Sequence, residues 1–442
     1  MTTDSNKLQE EAVKILQDNW VQVDEGSGFT KPAADVYPYQ WNWDSGFSAI
    51  GWRHIDIQRA MTEIETLFSG QWKNGFLPHV IFHIPSDNYF PNETFWQVQD
   101  TSDQAPEGME TSGMTQPPIH SISVWKVFET LEKTDSELAL DWLELMYPKL
   151  LSLHTYLYRQ RDQGNTGLIT IYHPWESGMD NSPRWDTPLK NISIKEKALY
   201  ERRDTGFVDA RFRPSNANYD TYVYLAEKMR EAGYDDEKLR QVHPFQVEDV
   251  FFSSVLHLAN GYLLRIADTL NENTEEITTW QQRFRENINT RCQDRSNGLF
   301  YDRDLLSGKL LKENTIAAMS PLIGGDMNEE EVENLFDTLD EKLFCGEGSC
   351  RATLLPSTSL FSNKFTPDRY WRGPVWINTN WLMLDGLENA GADEYASGLR
   401  NNLINLLENH GIWEYYNPET LEGIGAEHFS WSAALAVDIL TS

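Results

Sequence analysis

The sequence predicts an all-α protein whose helices lie in layers around a central cavity. Three observations lead there. Apolar residues recur at helical spacing through most of the chain, alternating patterns are few and short, and long loops rich in Trp, Gly, Pro, Asn and Asp join the helical stretches. The first helical pattern covers residues 8–16. In the second, 56–68, Ile57, Ala60, Met61, Ile64, Leu67 and Phe68 fall on one face. Similar patterns follow at 122–131, 138–158, 222–229, 250–270, 276–288, 379–387, 395–407 and 430–440. Within 138–158, Tyr147-Pro148 predicts a bend or restart, because proline lacks an amide donor and clashes with the preceding turn. The best strand candidate is 168–172. Loops are read at 37–47, 71–92, 173–186, 361–374 and 413–427, and loops of that length are usually functional. Residues 97–116 are polar and turn-rich, which suggests a lid. No Ser-, Gly- or Pro-rich linker and no fixed repeat divides the chain, so residues 1–442 are read as one domain with a loop excursion around 85–116.

Composition narrows the function. Hydrophobic residues make up 40% of 442, enough for a large core. Lys plus Arg number 37 against 68 Asp plus Glu, a net charge of −31. A field of that sign repels nucleic acid and anionic lipid, so neither is expected as a partner. An anionic ligand would need a local cationic pocket. The three cysteines, Cys292, Cys345 and Cys350, show no metal spacing and no disulfide framework, which predicts a reducing, cytoplasmic setting. No basic, apolar leader opens the chain, and no run approaches the ~18 apolar residues of a membrane span. Aromatics are numerous, with 16 Trp, 18 Tyr and 20 Phe; core packing can absorb many of them, yet many sit beside Gly, Pro, Asn and Asp in loop-like stretches, which fits a sugar site.

Two segments carry the densest chemistry. Residues 173–186 bring Glu176, Asp180 and Asp186 together with His173, Trp175, Arg184 and Trp185. Gly178, Pro174 and Pro183 keep this segment out of regular helix. Asp180, embedded among aromatics, has the surroundings that hold a proton on a carboxyl. The second segment, 423–432, runs from a Gly-containing turn into the last helix. Glu427 is expected near that helix's start, where the dipole favours a charged carboxylate. Glycoside hydrolysis needs two such groups across one anomeric carbon, set ~6.5–9.5 Å apart when configuration inverts. Spacing alone does not choose the pair. His79 and His83 lie four apart, but Pro78 and Pro85 flank them and no Glu lies between, so no metal site is expected.

Segment 173–186, the run Tyr370-Trp371-Arg372-Gly373-Pro374-Val375-Trp376, and Glu427-His428-Phe429-Ser430-Trp431-Ser432 together resemble glycoside hydrolase family 63. Trp41-Asn42-Trp43-Asp44-Ser45-Gly46 and Gly75-Phe76-Leu77-Pro78 agree, so the resemblance spans nearly the whole chain. It implies an (α/α)6 barrel with loops building a site at one end. It also implies an inverting α-glycosidase that needs no metal or other cofactor, with Asp180 as general acid and Glu427 as general base. Asp44 matches a carboxylate that holds sugar hydroxyls or the water. Trp41, Trp43, Gln116, Trp175, Gly178, Arg213, Tyr219, Trp371 and Trp376 match pocket positions of the compact bacterial members; Tyr37, Tyr89 and Tyr370 complete the expected site.

Those compact members hydrolyse mannosylglycerate and glucosylglycerate, so the resemblance implies a small glycoside with a carboxylate on its aglycone. Arg213 and Arg372 are the candidate grips, since a guanidinium fork holds a carboxylate at two points. The alternatives are a neutral α-glucoside, favoured by an uncharged pocket, and a sugar-binding protein without turnover. Arg372 has a structural alternative, pairing with an Asp. The loops 87–91 and 97–116 are expected to close over the ligand. The partner is a small-molecule glycoside, and homo-oligomers are compatible with the sequence.

Overall fold

The computed structural model describes residues 3–441 except Asp87, Lys195, Lys197 and Leu343. Asp87, the first residue of the expected lid loop, thus lies outside the described residues. Twelve helical elements form two concentric rings. The inner ring closes through α2 (Asn42–Trp52), α4 (His120–Leu131), α7 (Val250–Thr269), a 3-10 segment (Ile316–Leu322), α10 (Ile377–Asn389) and α12 (Ser430–Thr441), each packed on the next and α12 back on α2. Around it run α1 (Thr3–Asn19), α3 (Ile57–Ser69), α5 (Ser136–Tyr156), α8 (Glu275–Arg291), α9 (Glu329–Glu341) and α11 (Asp393–His410). This is the (α/α)6 barrel. A further helix, α6 (Asn216–Glu231), belongs to the long excursion between α5 and α7.

The outer helices follow the sequence reading because each has one wet and one dry face. In α3 the buried set includes Ala60, Met61, Ile64, Leu67 and Phe68. The inner helices are harder to read. All residues of α2 are buried, so it has no polar face to set a period, and Gly46 and Gly51 lower its helix propensity. Its first half, expected as loop, is helix. The bend or restart expected at Pro148 does not divide α5, which runs unbroken from Ser136 to Tyr156 and then continues into a π-turn over Leu157–Arg161. The strand expected at 168–172 shrinks to Thr170–Ile171, the edge of a four-stranded antiparallel sheet completed by Val247–Glu248, Arg303–Asp304 and Lys309–Leu310. The loop expected at 413–427 is a hairpin: Trp413–Tyr416 pairs with Gly423–Glu427, with a bulge between Ile424 and Glu427.

Two features depart from what composition suggests. Cys345 and Cys350 form a disulfide, and Cys292 is free and buried. An odd cysteine count hid a local pair five residues apart. Val250–Thr269 is long and apolar enough to cross a membrane, but 83% of that window is buried inside the protein, against inner-ring neighbours and the outer helices α5 and α8. The barrel matters for function because α2, α4, α10 and α12 start at the same end, and the loops preceding them meet there.

Candidate active site

At that end lies a cavity with about 540 Å³ of atom-free space, mouth included. The first turn of α2 supplies Trp43 and Asp44, and the chain leading to it supplies Pro32, Tyr37 and Trp41. The excursion before α4 gives His79, Tyr89 and Gln116. The mid-chain loop gives Trp175, Gly178 and Asp180, the turn before α10 gives Tyr370 and Trp371, and the start of α12 gives Phe429 and Trp431. The hairpin gives Glu414.

Asp180 is held by a loop that two tight turns shape. His173 accepts the amide of Trp175 and opens a 3-10 turn, and Gly178 then takes a φ of +70°. A Cβ on Gly178 would come within 2.6 Å of the Trp43 ring, so glycine both supplies the backbone angle and lets the loop seat against that indole. Tyr222 donates to the Asp180 carbonyl at 2.9 Å. Burial pushes the Asp180 carboxyl up to about 7; Arg213 opposes this, and Glu414 and Asp204 add to it.

Glu414 has the opposite surroundings. It sits on the first hairpin strand, 1% exposed. Tyr37 donates to Oε1 at 2.9 Å, the Ala426 amide donates to Oε2 at 3.0 Å, and Arg213 reaches each oxygen at 3.4 Å. Every partner is a donor, the complement of a carboxylate. A Cβ on Gly425, whose φ is +84°, would collide with Glu414 Oε2. A third carboxylate, Asp44, is 4% exposed, and its carboxyl is held well above the usual range by burial and then by the charges of Glu414, Glu63 and Asp180. His79 is kept neutral by burial, which pushes it down to about 3; its Nδ1 pairs with Ser112 Oγ at 2.5 Å and its carbonyl accepts the Asn42 amide that starts α2.

The expected base, Glu427, is elsewhere. It ends the second hairpin strand, where Ile424 and Ala426 turn inward and Glu427 outward. Its side chain is 59% exposed, with His428 4.0 Å away, and it faces a surface groove shared with Glu11, Lys14 and Asp18. His428, at a φ of +58°, and Phe429 separate it from α12, so it is not in that helix's first turn. Four more expected residues stand behind the wall. Arg372 forks onto Asp186 at 2.9 and 2.8 Å and donates to the Asn181 carbonyl at 3.2 Å, its structural alternative. Trp376 stacks on Trp371 with centroids 3.8 Å apart and donates to the Tyr370 carbonyl at 3.1 Å. Tyr219 packs on Trp175 and donates to the Phe90 carbonyl at 2.8 Å. Arg213, 3% exposed, serves Tyr37 and Glu414.

Sequence reading passed over Glu414, His79, Pro32, Phe429 and Trp431 as lining residues. For Glu414 a signal was present: a Glu followed by Tyr415 and Tyr416 and preceded by Trp413, inside a loop already singled out. Among the described residues, no group of three or more His, Cys, Asp and Glu side chains is arranged to hold a metal ion.

The mannosylglycerate hydrolase MGH1-like glycoside hydrolase domain model matches residues 37–432. The mannosylglycerate hydrolase of Thermus thermophilus is 39% identical over 427 residues, 96% of this chain and 99% of that protein. The glucosylglycerate hydrolase of Mycolicibacterium hassiacum is 37% identical over 418 residues, 93% of this chain and 94% of that protein. The crystal structure of a GH63 mannosylglycerate hydrolase from Thermus thermophilus in complex with Tris and D-glycerate matches with a TM-score of 0.88 at 39% identity, covering 98% of this chain and 99% of that one.

Proposed function

The chain belongs to the MGH1-like glycoside hydrolases of family 63, and from that premise we propose that it hydrolyses mannosylglycerate, glucosylglycerate or both, with Asp180 as general acid and Glu414 as general base. One observation supports this pair above the rest: a carboxyl pushed up to about 7 and a carboxylate surrounded by donors line the same cavity.

Asp180 gives its proton to the glycosidic oxygen as the bond to the anomeric carbon breaks. A water on the opposite face forms the new bond to that carbon and passes its proton to Glu414. The products are the free sugar, inverted at the anomeric centre, and glycerate. Proton exchange with solvent then resets both acids. Trp43, Trp175, Trp371 and Trp431 offer flat faces to the ring, and Asp44 and Gln116 offer polar atoms to hydroxyls or to the water. The excursion 85–116 delivers Tyr89 and Gln116 to the wall, which supports its reading as a lid on a one-domain barrel.

A second reading, a neutral α-glucoside, has one observation in its favour. Both expected carboxylate grips are engaged with the protein's own carboxylates, Arg213 with Glu414 and Arg372 with Asp186. Incubation with each glycerate glycoside and with a neutral disaccharide separates the readings. Glycerate release, with the first-formed sugar anomer inverted by NMR, is expected; turnover of the disaccharide alone would replace the substrate class.

A further inference from the structure

The acid loop carries three carboxylates, and they do not face the same way. Asp180 lines the cavity, with Trp175 and Gly178 of the same loop. Asp186 turns away onto Arg372, and Glu176 turns away onto Arg161. Glu176 is fully buried, and every partner it has is a donor. Arg161 forks onto it, 3.0 Å to each oxygen. The Tyr172 amide donates to Oε2 at 2.7 Å and the Thr115 amide to Oε1 at 3.4 Å. Those amides belong to different segments. Tyr172 leads from the strand Thr170–Ile171 into the acid loop, and Thr115 precedes Gln116 of the cavity wall. One carboxylate thus joins the loop that carries the acid to the segment that carries Gln116. Behind it, Arg161 closes the π-turn at the end of α5, a distortion frequent at functional sites. Its guanidinium also donates to the Thr170 carbonyl at 3.3 Å, pairs with Asp236 and lies 4.8 Å from the centroid of the Tyr172 ring. Asp236 in turn accepts from the Tyr156 hydroxyl at 2.6 Å. Glu176 therefore rests on a base fastened on several sides.

We propose that Glu176 is a positioning residue: its carboxylate, held from behind by Arg161, locks the acid loop to the Gln116 segment and so fixes Asp180 against the glycosidic oxygen. This rests on the reading of Asp180 as general acid. An amide cannot replace the carboxylate here. Each oxygen accepts two donors, so the NH2 group of a glutamine would meet N–H donors whichever way it turned, and one anchor would be lost. Asp236 remains beside Arg161 in Glu176→Gln, so the buried cation keeps a counter-charge.

The test uses the full chain and two substrates with one sugar, the glycerate glycoside and the α-glycosyl fluoride. The glycerate oxygen needs a proton from Asp180 to leave. Fluoride is a weak base and leaves without one, while water still attacks the anomeric carbon and gives its proton to Glu414. In Glu176→Gln, kcat on the glycerate glycoside should fall by between about tenfold and 10²-fold, the size of a small misplacement of a reacting group, and kcat on the fluoride should stay within about threefold. An unchanged ratio of the two kcat values in the folded variant overturns the proposal, because a merely structural role would lower both alike. If Glu176→Gln fails to fold, Arg161→Lys decides, since it keeps the charge without the fork: the ratio should move in the same direction, and an unchanged ratio overturns the proposal. Asp180→Asn should show the same split; an equal loss on both substrates there would overturn the acid assignment and this proposal with it. Failure of the unaltered enzyme on the glycerate glycoside would overturn the substrate reading alone, and the neutral disaccharide then serves as the substrate that needs the proton.

Discussion

Replacing Glu414 and Glu427 separately by Gln decides which carboxylate is the base. Glu414→Gln keeps the shape but removes the group that takes the water's proton. General base catalysis contributes ~10²–10⁴-fold, so kcat is expected to fall by that factor, about 3–5 kcal/mol of barrier at ~1.4 kcal/mol per tenfold. The surroundings add a second cost. The new side-chain amide nitrogen would meet the Tyr37 hydroxyl or the Ala426 amide, both donors, and Arg213 at 3% exposure would lose its counter-charge. Breaking a buried pair costs ~3–5 kcal/mol. The fold must therefore be checked by circular dichroism and thermal melting before the kinetics are read. Azide separates the two costs. It is already an anion, so it attacks the anomeric carbon without a base, and a folded Glu414→Gln enzyme should form the inverted glycosyl azide. Glu427→Gln should keep kcat within about twofold, since that side chain is 59% exposed on another surface. A folded Glu414→Gln enzyme with unaltered kcat, or a loss of ~10²-fold in Glu427→Gln, would refute the assignment.

Four further outcomes are expected. With the Asp180 carboxyl pushed up to about 7, its acid form is half populated near pH 7, so kcat/KM should fall tenfold per unit above that; Glu63→Gln, whose carboxyl is also pushed up to about 7 but behind the cavity, should leave this limb in place. The raised value also means that folding favours the protonated form, a contribution lost as pH rises through 7, so Asp180→Asn should raise Tm more at pH 8 than at pH 5. Arg372→Ala removes the bonds from Arg372 to the Asn181 carbonyl and to Asp186 that hold the acid loop, and should lower kcat about tenfold with little change in KM, with partial recovery in Arg372→Lys, both read by initial rates. Gly425→Ala forces a Cβ against Glu414 at a φ of +84° and should cost ~1–3 kcal/mol in Tm-derived stability together with turnover.

What the sequence disclosed depended on which surface each element faces. Outer helices such as α3 were legible because water on one side imposes a 3.6-residue period. Most of α2 was not, because protein surrounds it on every side. The acid loop was legible for the opposite reason: Gly178, Pro174 and Pro183 break it into short 3-10 turns in place of a regular α-helix, so its carboxylates and indoles had to serve something else. Glu427 misled because the Gly423–Gly425 turn was read as the run-up to a helix when it is strand, and a strand sends neighbouring side chains to opposite faces. Of the two glutamates, Glu414 faces the cavity and Glu427 faces water, and only the pairing register distinguishes them. Arg372 and Trp376 carried the right chemistry for a site they support from behind, which no spacing could tell apart from touching the ligand.

The barrel also accounts for how three carboxylates share one cavity in a chain of net charge −31. On top of burial, the charge of Glu414 raises the proton affinity of both Asp44 and Asp180, and Arg213 is the cation set against them. Helix ends supply the remaining compensation. The N-cap residues of α2, α4 and α10 (Trp41, Ile119 and Trp376) make no side-chain cap, and these positive dipole ends lie at the cavity end of the barrel. Asp44, in the first turn of α2, also accepts from its own amide. Such a field is fixed by the backbone and needs no lysine or arginine in the wall. A closed ring of inner helices starting at one end can therefore gather three acids at one cavity, where the charge count alone would argue against it.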